Sequence, residues 1–565
     1  MTKRLYLFFS LLLVASMLLV TTGCTSKDEP TAPPEEPDAP EATTAPVVDD
    51  EPAEPVVLRF GWGEEPDCLT NIYTCGTIFF LSEIIWEGVY GLGPNCAPLI
   101  PRQTTSVDIS EDGKTFTFHI HEGVTWSDGE VFDAHDMVQH WDWISDKSIN
   151  DWYWITSKAV EWKAIDDLTF ELTLSQAESA YLHGYQTWTW VLPPQVYGEM
   201  TEDDIWTYKT DNPVTTGPYT LTEWERGSYM IFDARPEYHL GKPPADRIVV
   251  QFYANEDAMV NALLAGEIDA IMGDMSPQYY DTVADAPNVT LWEQPPGRNL
   301  LLDFNLRESV EGFDKHPAIL DPIVREAIDY AINKEQIVEV ALLGHGIQCP
   351  TASTCGPLTI WPAEDPSLQV FPQDYEKANQ MLEDAGYVDT DGDDVRETAD
   401  GQPLTFSLFF DVGYPPWQTI AGMLKDWTAE IGIDLVPEAM EAATLTNRQV
   451  FTGEYETALR SWVNEYEPGV LGDLYSCAAA MPFTGWCSET FDEALHNAQQ
   501  TFGPDRRQYI DAMDVAFQTE RPYIQLGGVQ SLAGYLSDKF EFPADACPYY
   551  GTLASWYSLM NVEVK

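Results

Sequence analysis

Apolar residues recur at two periods along this chain, and the switching between them predicts a mixed α/β or α+β body. Val57-Leu58-Arg59-Phe60-Gly61-Trp62 alternates as a strand does. Thr115 to Ile120, Thr169 to Leu174, Ile248 to Tyr253, Leu404 to Phe410 and Glu456 to Trp462 carry the β-branched and aromatic residues that suit a pleated, half-buried surface. Between these runs the period lengthens to that of a helix. Met259, Ala262 and Leu263 form a stripe over Ala258 to Ala265, with Asn255 or Asp257 to cap its start and Gly266 to end it. From Pro322, residues Ile323, Val324, Ala327, Ile328 and Ala331 repeat the stripe. Ile337, Val338, Ala341 and Leu342 repeat it before Gly344, and Tyr375, Ala378, Met381 and Leu382 before Gly386. Stripes of this kind are core faces, not cofactor boxes. Asp112-Gly113 between two strand runs suits a tight hairpin, and no repeat of solenoid or propeller spacing is present.

The pattern is different before Val57. Lys3 and Arg4 precede an apolar run from Leu5 to Val20, which ends in Thr21-Thr22-Gly23-Cys24. The run is shorter than the roughly 20 residues a spanning helix needs, and residues 1–24 read as a signal peptide. The small residues before Cys24 resemble the lipobox of bacterial lipoproteins, with Thr21 where that motif usually has Leu. The resemblance implies that Cys24 is acylated; plain secretion with Cys24 removed is the alternative. Residues 25–55 are dominated by Pro, Ala, Thr, Asp and Glu, a composition that stays solvated and extended and reads as a tether. The remaining residues suffice for two or three cores.

Charge narrows the partners. Ninety-two acidic residues against 29 basic ones give a net charge of −63, which argues against nucleic acid, since phosphate binding needs clustered Lys and Arg. Of nine cysteines, setting Cys24 aside leaves eight, an even number suited to disulfides in an oxidising compartment. Cys68 with Cys75, Cys349 with Cys355 and Cys477 with Cys487 are close in sequence, and Cys96 with Cys547 pairs by elimination. The absence of CxxC and the scatter of histidines argue against zinc. His119 and His121, spaced i, i+2 on one strand face, read as exposed strand histidines in preference to metal ligands. Asp389, Asp391 and Asp393 alternate as in a calcium loop, but Gly392 falls at the fourth place and Asp400 at the twelfth; a turn entering the strand at Leu404 explains the same residues. No cofactor is expected beyond a structural calcium at those aspartates. GxSxG, HExxH and phosphate-cradling Gly-rich signatures are missing, which weighs against a secreted hydrolase without excluding paired-carboxylate chemistry.

The string Ser110-Glu111-Asp112-Gly113-Lys114-Thr115-Phe116-Thr117-Phe118, followed by Glu122-Gly123-Val124-Thr125-Trp126-Ser127-Asp128-Gly129, resembles the signature of family 5 extracellular solute-binding proteins, the peptide- and nickel-type receptors of ABC importers. Glu65-Pro66-Asp67-Cys68-Leu69, Trp86-Glu87-Gly88-Val89, Thr216-Gly217-Pro218-Tyr219, Gly266-Glu267-Ile268-Asp269-Ala270, Val324-Arg325-Glu326-Ala327-Ile328 and Ala385-Gly386-Tyr387 fall in the order the family shows. The resemblance implies a two-lobed α/β fold of the periplasmic-binding-protein type (class II), with crossing strands as hinge and a small inserted domain. By that analogy residues 57–98, 213–305 and 521–565 form lobe I, 99–212 the insert and 306–520 lobe II.

The same resemblance implies an acidic residue, shortly after a Trp and ahead of a disulfide, that grips a peptide's α-ammonium. The matching stretch is Arg460-Ser461-Trp462-Val463-Asn464-Glu465-Tyr466-Glu467-Pro468, with Cys477 and Cys487 downstream. Glu465 is the first candidate, because a buried ammonium needs an opposite charge and filled hydrogen bonds. Asn464 and Glu467 are the alternatives. Trp462 and Tyr466 are candidates to line side-chain pockets, Arg460 to meet a carboxylate, and Trp86 to face the cleft from lobe I. Peptides in such clefts lie extended, with main-chain hydrogen bonds supplying affinity. The implied function is capture of a short peptide for ABC permease subunits by a monomeric, extracytoplasmic protein held to the membrane by its lipid. An oligosaccharide or a nickel chelate is the alternative ligand.

Overall fold

The computed structural model describes residues 54–70, 79–96, 99–146, 158–182, 190–355, 364–463, 467–479, 481–547 and 552–565. The fold below is that of Pro55–Lys565. The strands of its two larger sheets are, in chain order, β1 (Val57–Trp62), β2 (Thr104–Ile109), β3 (Thr115–Ile120), β4 (Ala159–Asp166), β5 (Thr169–Leu174), β6 (Tyr219–Glu225), β7 (Tyr229–Ala234), β8 (Arg247–Phe252), β9 (Ala270–Ile271), β10 (Val289–Phe304), β11 (Gly346–Ile347), β12 (Thr405–Asp411), β13 (Asp434–Met440), β14 (Thr457–Val463) and β15 (Tyr523–Leu536). An eleven-stranded sheet runs β13-β12-β14-β10-β15-β9-β1-β8-β7-β6, with β11 added on β15.

Two strands hold the lobes of this α/β fold together. β10 pairs antiparallel with β15 from Val289 opposite Leu536 to Asp303 opposite Tyr523. Beyond its midpoint, β10 takes β14 as its second neighbour, from Arg298 to Phe304, whereas the far end of β15 pairs with β9 at Tyr535. Each long strand therefore gives one half to each lobe. The midpoint of β10 is Pro295-Pro296-Gly297, and the register slips on both sides of Pro296. Proline supplies no amide to the ladder, so the strand must bulge and bend there. From Arg298 on, β10 pairs with β14 as well as β15, whereas its first half has β15 alone as neighbour.

Side chains alternate into separate cores. Leu300, Leu302 and Phe304 of β10 join Val324, Ile328, Leu408, Leu424 and Leu459 in one cluster, while Leu301 on the opposite face joins Leu474, Tyr475, Phe491 and Phe517 in another. The four-stranded sheet β2-β3-β5-β4 inserts Phe116, Phe118, Phe170 and Leu172 into the same core as Phe60 and Ile248 of the large sheet. One apolar core therefore joins this sheet to β1 and β8.

Local chemistry fixes the helices where the pattern announced them. Asn255 accepts from the Ala258 amide at the start of Glu256–Ala265, and Gly266 closes it at φ 74°. Asp321 caps Pro322–Ala331 by accepting from Ile323. The stripe at Ile337 differs: a short turn at Lys334–Gln336 leads into a wider, i→i+5 turn over Ile337–Ala341. The β-branched residues Ile337, Val338 and Val340 crowd a regular helix there. The Asp112-Gly113 turn has Gly113 at φ 68° and Ser110 donating to Asp112 at 2.6 Å, in a longer connection than a two-residue hairpin.

Disulfides join Cys96 to Cys547, Cys349 to Cys355 and Cys477 to Cys487. Cys68 is also disulfide-bonded; Cys75 and Cys24 lie outside the described residues. Among the described residues no helix is long and apolar enough to cross a membrane.

Candidate ligand site between the lobes

The bend in β10 delivers Arg298 and Asn299 to the seam between the lobes. Arg298 Nε donates to Asp274 Oδ2 at 3.1 Å, and Asp274 belongs to the loop that follows β9 in lobe I. Burial pushes the Asp274 carboxyl above its ordinary range, with Arg298 opposing the shift. Tyr414, from the loop after β12 in lobe II, sits in the field of Arg298, Asp274 and Glu256, and burial raises its phenol pKa strongly. At this point of the seam Asp274 and Tyr414 flank one guanidinium.

Beside Arg298, the end of β14 and the middle of β10 leave a small pocket of about 10 Å³, room for about one water molecule. Asn299, Leu301, Trp462 and Val463 supply two walls; Ala352 with Ser353, and Leu471, Leu474 and Tyr475, supply the others. A second hollow of similar size lies on the other side of the Cys349–Cys355 segment, lined by Thr351, Lys334, Arg521, Tyr523 and Gln525 among others. The cations there are engaged, Lys334 with Asp329 at 2.6 Å and Arg521 with Asp329 at 3.3 Å.

Trp462 lines the first pocket, its ring edge-on to Phe483 at 5.2 Å. Glu465, Asn464 and Tyr466 follow directly on β14 and lie outside the described residues. Arg460 is not free for a ligand carboxylate. Its guanidinium is buried, donates to both oxygens of the buried Asp303, to Oδ1 at 3.1 Å, and to the Tyr475 hydroxyl at 2.7 Å. Burial opposes its charge, but Asp303 and Tyr475 outweigh that and hold its pKa above the ordinary value. Glu467 is engaged likewise, accepting from Arg506 Nη1 at 2.8 Å in a pair with both side chains about 2% exposed or less. Trp86 is 1% exposed, stacked on Trp190 at 5.9 Å, and donates to the Leu69 carbonyl, so it is a core residue of lobe I without a face on the cleft.

The remaining candidates fall elsewhere. His119 lies 2.9 Å from Asp108 in an exposed pair, and the His121 ring faces that of His239 at 5.6 Å; neither joins a metal-ligand cluster among the described residues. Asp389, Asp391 and Asp393 converge with Glu397, one oxygen from each lying within 4.8 Å of the others. Asp389 accepts from the amides of Gly392 and Asp394, Asp393 from that of Val395, and Glu397 from Thr390, which is the bonding of a tight turn.

Among the candidate site residues that sequence reasoning did not reach are Arg298, Asn299, Asp274, Tyr414, Ala352 and Ser353. Two signals pointed toward them. Pro295-Pro296-Gly297 interrupts an otherwise strand-like run, and Cys349 and Cys355 close a short loop.

Comparison with known proteins agrees with this geometry. The sequence profile described as "Bacterial extracellular solute-binding proteins, family 5 Middle" matches residues 98–477. The dipeptide-binding protein of Escherichia coli is 25% identical over 467 residues, covering 77% of this chain and 82% of that protein. The nickel-binding periplasmic protein of the same organism is 26% identical over 376 residues, covering 66% and 68%. The solved structure of the oligopeptide-binding protein AppA from Bacillus subtilis with a nonapeptide superposes with a TM-score of 0.75 at 18% identity, covering 91% of this chain and all of that one. This chain, with two lobes joined by crossing strands, belongs to the family 5 bacterial extracellular solute-binding proteins.

Proposed function

We propose that the chain captures short peptides between its lobes and delivers them to the membrane subunits of an ABC importer. The observation that carries this reading is the pocket at the end of β14, next to the seam where Arg298 meets Asp274. An extended ligand laid along that seam meets the apolar walls of the pocket and charged groups of both signs beside it. Glu465, two residues beyond Val463, is assigned the ligand ammonium. Names of relatives support two ligand classes, a dipeptide and nickel. The peptide is favoured because the pocket presents apolar walls with Asn299 and Ser353 as its polar atoms, the lining expected for a side chain.

Thermal-shift screening of the full mature chain against free-amine peptides, N-acetylated peptides, oligosaccharides and nickel chelates tests this reading. A peptide at 100 times its Kd is expected to add about 2.7 kcal/mol of stability. Glu465→Gln is expected to weaken free-amine peptides by about 2 kcal/mol or more and to leave N-acetylated ones unchanged. Equal loss for both would remove Glu465 from the role of anchor, and a response to nickel chelates alone would replace the ligand class.

We also propose export with lipidation at Cys24, the tether of residues 25–55 carrying the folded body away from the membrane. The support is the apolar leader and the Gly23-Cys24 step that precedes the tether. Cys24→Ser is expected to move the protein from the membrane pellet to the soluble fraction after cell fractionation. Unchanged pelleting would rule out the anchor.

A further inference from the structure

We propose that the connection after β5, residues 175–182, is a clasp that fastens the four-stranded sheet to the second lobe, and that the buried Lys158–Glu178 pair inside it couples release of the clasp to loss of a proton. The proposal rests on the two-lobed fold and not on the class of ligand.

Two bodies meet here without the help of the crossing strands. Phe116, Phe118 and Tyr181 share a core with Phe60 of β1, whereas Phe491 and Leu495 of the helix Glu489–Gln500 pack with Leu301 of β10 in another. Residues 175–182 leave the first body and dock on the end of that helix. The Ser179 amide donates to the Gln499 carbonyl at 2.6 Å, and Ser179 Oγ to the Ala498 carbonyl at 2.9 Å. Both carbonyls lie in the last turn, where a helix has no amide of its own left to donate to them. Arg506 Nε meets the Ala498 carbonyl as well, at 2.8 Å. The clasp therefore serves as part of the C-terminal cap of a helix in the other lobe.

The approach is close on both sides of this contact. Ala180 is fully buried, and a Cβ on Gly469, in the turn after β14, would stand 2.8 Å from Ala180 Cβ. A Cβ on Gly113 would run into the ring of Phe502, just beyond the helix. Val470 packs against the core that holds Ala180 and Tyr181.

Charge is buried in the same joint. Glu178 is fully buried and paired with Lys158, whose ammonium also reaches Gln499 Oε1 at 3.5 Å. Across the joint Glu467 and Arg506 form a second buried pair, and Gln499 Nε2 donates to the Gly469 carbonyl at 3.0 Å. Lys114 donates to the Ser175 carbonyl at 3.3 Å, at the start of the clasp. Burial raises the Glu178 carboxyl to about 7, against the pull of Lys158 and with Glu467 adding to the rise. When the clasp parts, water reaches the carboxyl and its ordinary value of 4.5 returns. The closed form thus holds a proton between those values that the open form releases, so the clasp weakens as pH rises through that window. Since the lobes part only when this joint opens, the cleft is held shut more firmly at acid pH than at neutral pH.

Hydrogen exchange of the full mature chain, without ligand and corrected for the intrinsic effect of pH, tests the clasp at the Ser179 amide, whose acceptor lies across the joint. Protection of that amide is expected to fall more than about tenfold between pH 5 and 7.5, while the amides of the β3–β5 ladder keep theirs. Glu178→Gln copies the protonated carboxyl and is expected to hold the protection seen at pH 5 across the range. Gly469→Ala is expected to lower Ser179 protection at least about tenfold at every pH and to spare the ladder. A Ser179 amide that exchanges together with the ladder, or that ignores Gly469→Ala, would overturn the clasp. An unchanged pH dependence in Glu178→Gln would overturn its coupling to the proton. Neither result bears on which ligand the cleft takes.

Discussion

Asp303→Ala is expected to destabilise the protein by about 3–5 kcal/mol, the range for stripping one partner from a buried ion pair. Asp303 is fully buried, and Arg460 5% exposed. Besides the guanidinium, the carboxylate accepts from Gln449 at 3.2 Å, and Arg460 Nη1 already lacks a hydrogen-bond partner. Removing the carboxylate would leave a buried cation met by the Tyr475 hydroxyl and by aromatic rings, among them that of Phe483, 4.3 Å from the guanidinium carbon. The charge-free pair Asp303→Leu/Arg460→Met is expected to recover most of the loss, because a buried pair contributes little net stability against apolar residues of similar volume. Urea unfolding of the three proteins at one pH checks this. A loss under about 1 kcal/mol for Asp303→Ala would mean that the site admits water. The pair also serves the ligand site, since Arg460 orients Tyr475 and packs 5.7 Å from the Trp462 ring, two walls of the pocket.

That ion pair marks where a sequence stops being readable. The caps of Glu256–Ala265 and Pro322–Ala331 are local, a side chain and an amide within three residues, so composition alone places them. Arg460 finds Asp303 across 157 residues and Glu467 finds Arg506 across 39, and no local pattern reports either meeting. From sequence all four are charged residues in an acidic chain and equally suited to solvent or ligand. β15 was silent for another reason. Tyr523 to Leu536 is buried on both faces and contains Gly527, Gly528 and Gly534, so it shows neither alternation nor β-branched enrichment. Its partner β10 hides its crossing at two prolines. The resemblance to a family supplied the hinge, and the strand chemistry explains why periodicity does not.

Trp86-Glu87-Gly88-Val89 drew attention as a family-like string and as a source of a cleft aromatic; its chemistry lies instead in Glu87. The carboxyl is buried, accepts from the Tyr238 hydroxyl, and has its second oxygen without a hydrogen-bond partner. Tyr238 in turn accepts from the Trp556 indole at 2.9 Å, so the group ties the start of lobe I to the chain's C-terminal segment, as Cys96–Cys547 does nearby. Burial raises the Glu87 pKa to about 8, against the pull of Tyr238, Arg102 and Arg235. The folded state thus keeps a proton that the unfolded chain releases above its ordinary value of 4.5, and stability must fall as pH rises between those values. The full interval corresponds to about 5 kcal/mol. His140 acts at the other end: buried and accepting from the Leu192 amide, it is lowered to about 3, so stability is lost as pH drops below 6.5. Between 4.5 and 6.5 the slope of His140 opposes that of Glu87, to which Asp514 and Glu178, also raised by burial, add theirs up to about pH 6 and pH 7 respectively, and above about 7 that of Glu87 is left. Glu87→Gln keeps the shape and removes the proton. Its stability relative to the parent is expected to climb by about 1.4 kcal/mol per pH unit from pH 5 toward 8, read from urea midpoints at constant slope. A difference that does not change with pH would show that Glu87 is ionised in the folded protein and that its charge is met by Arg102.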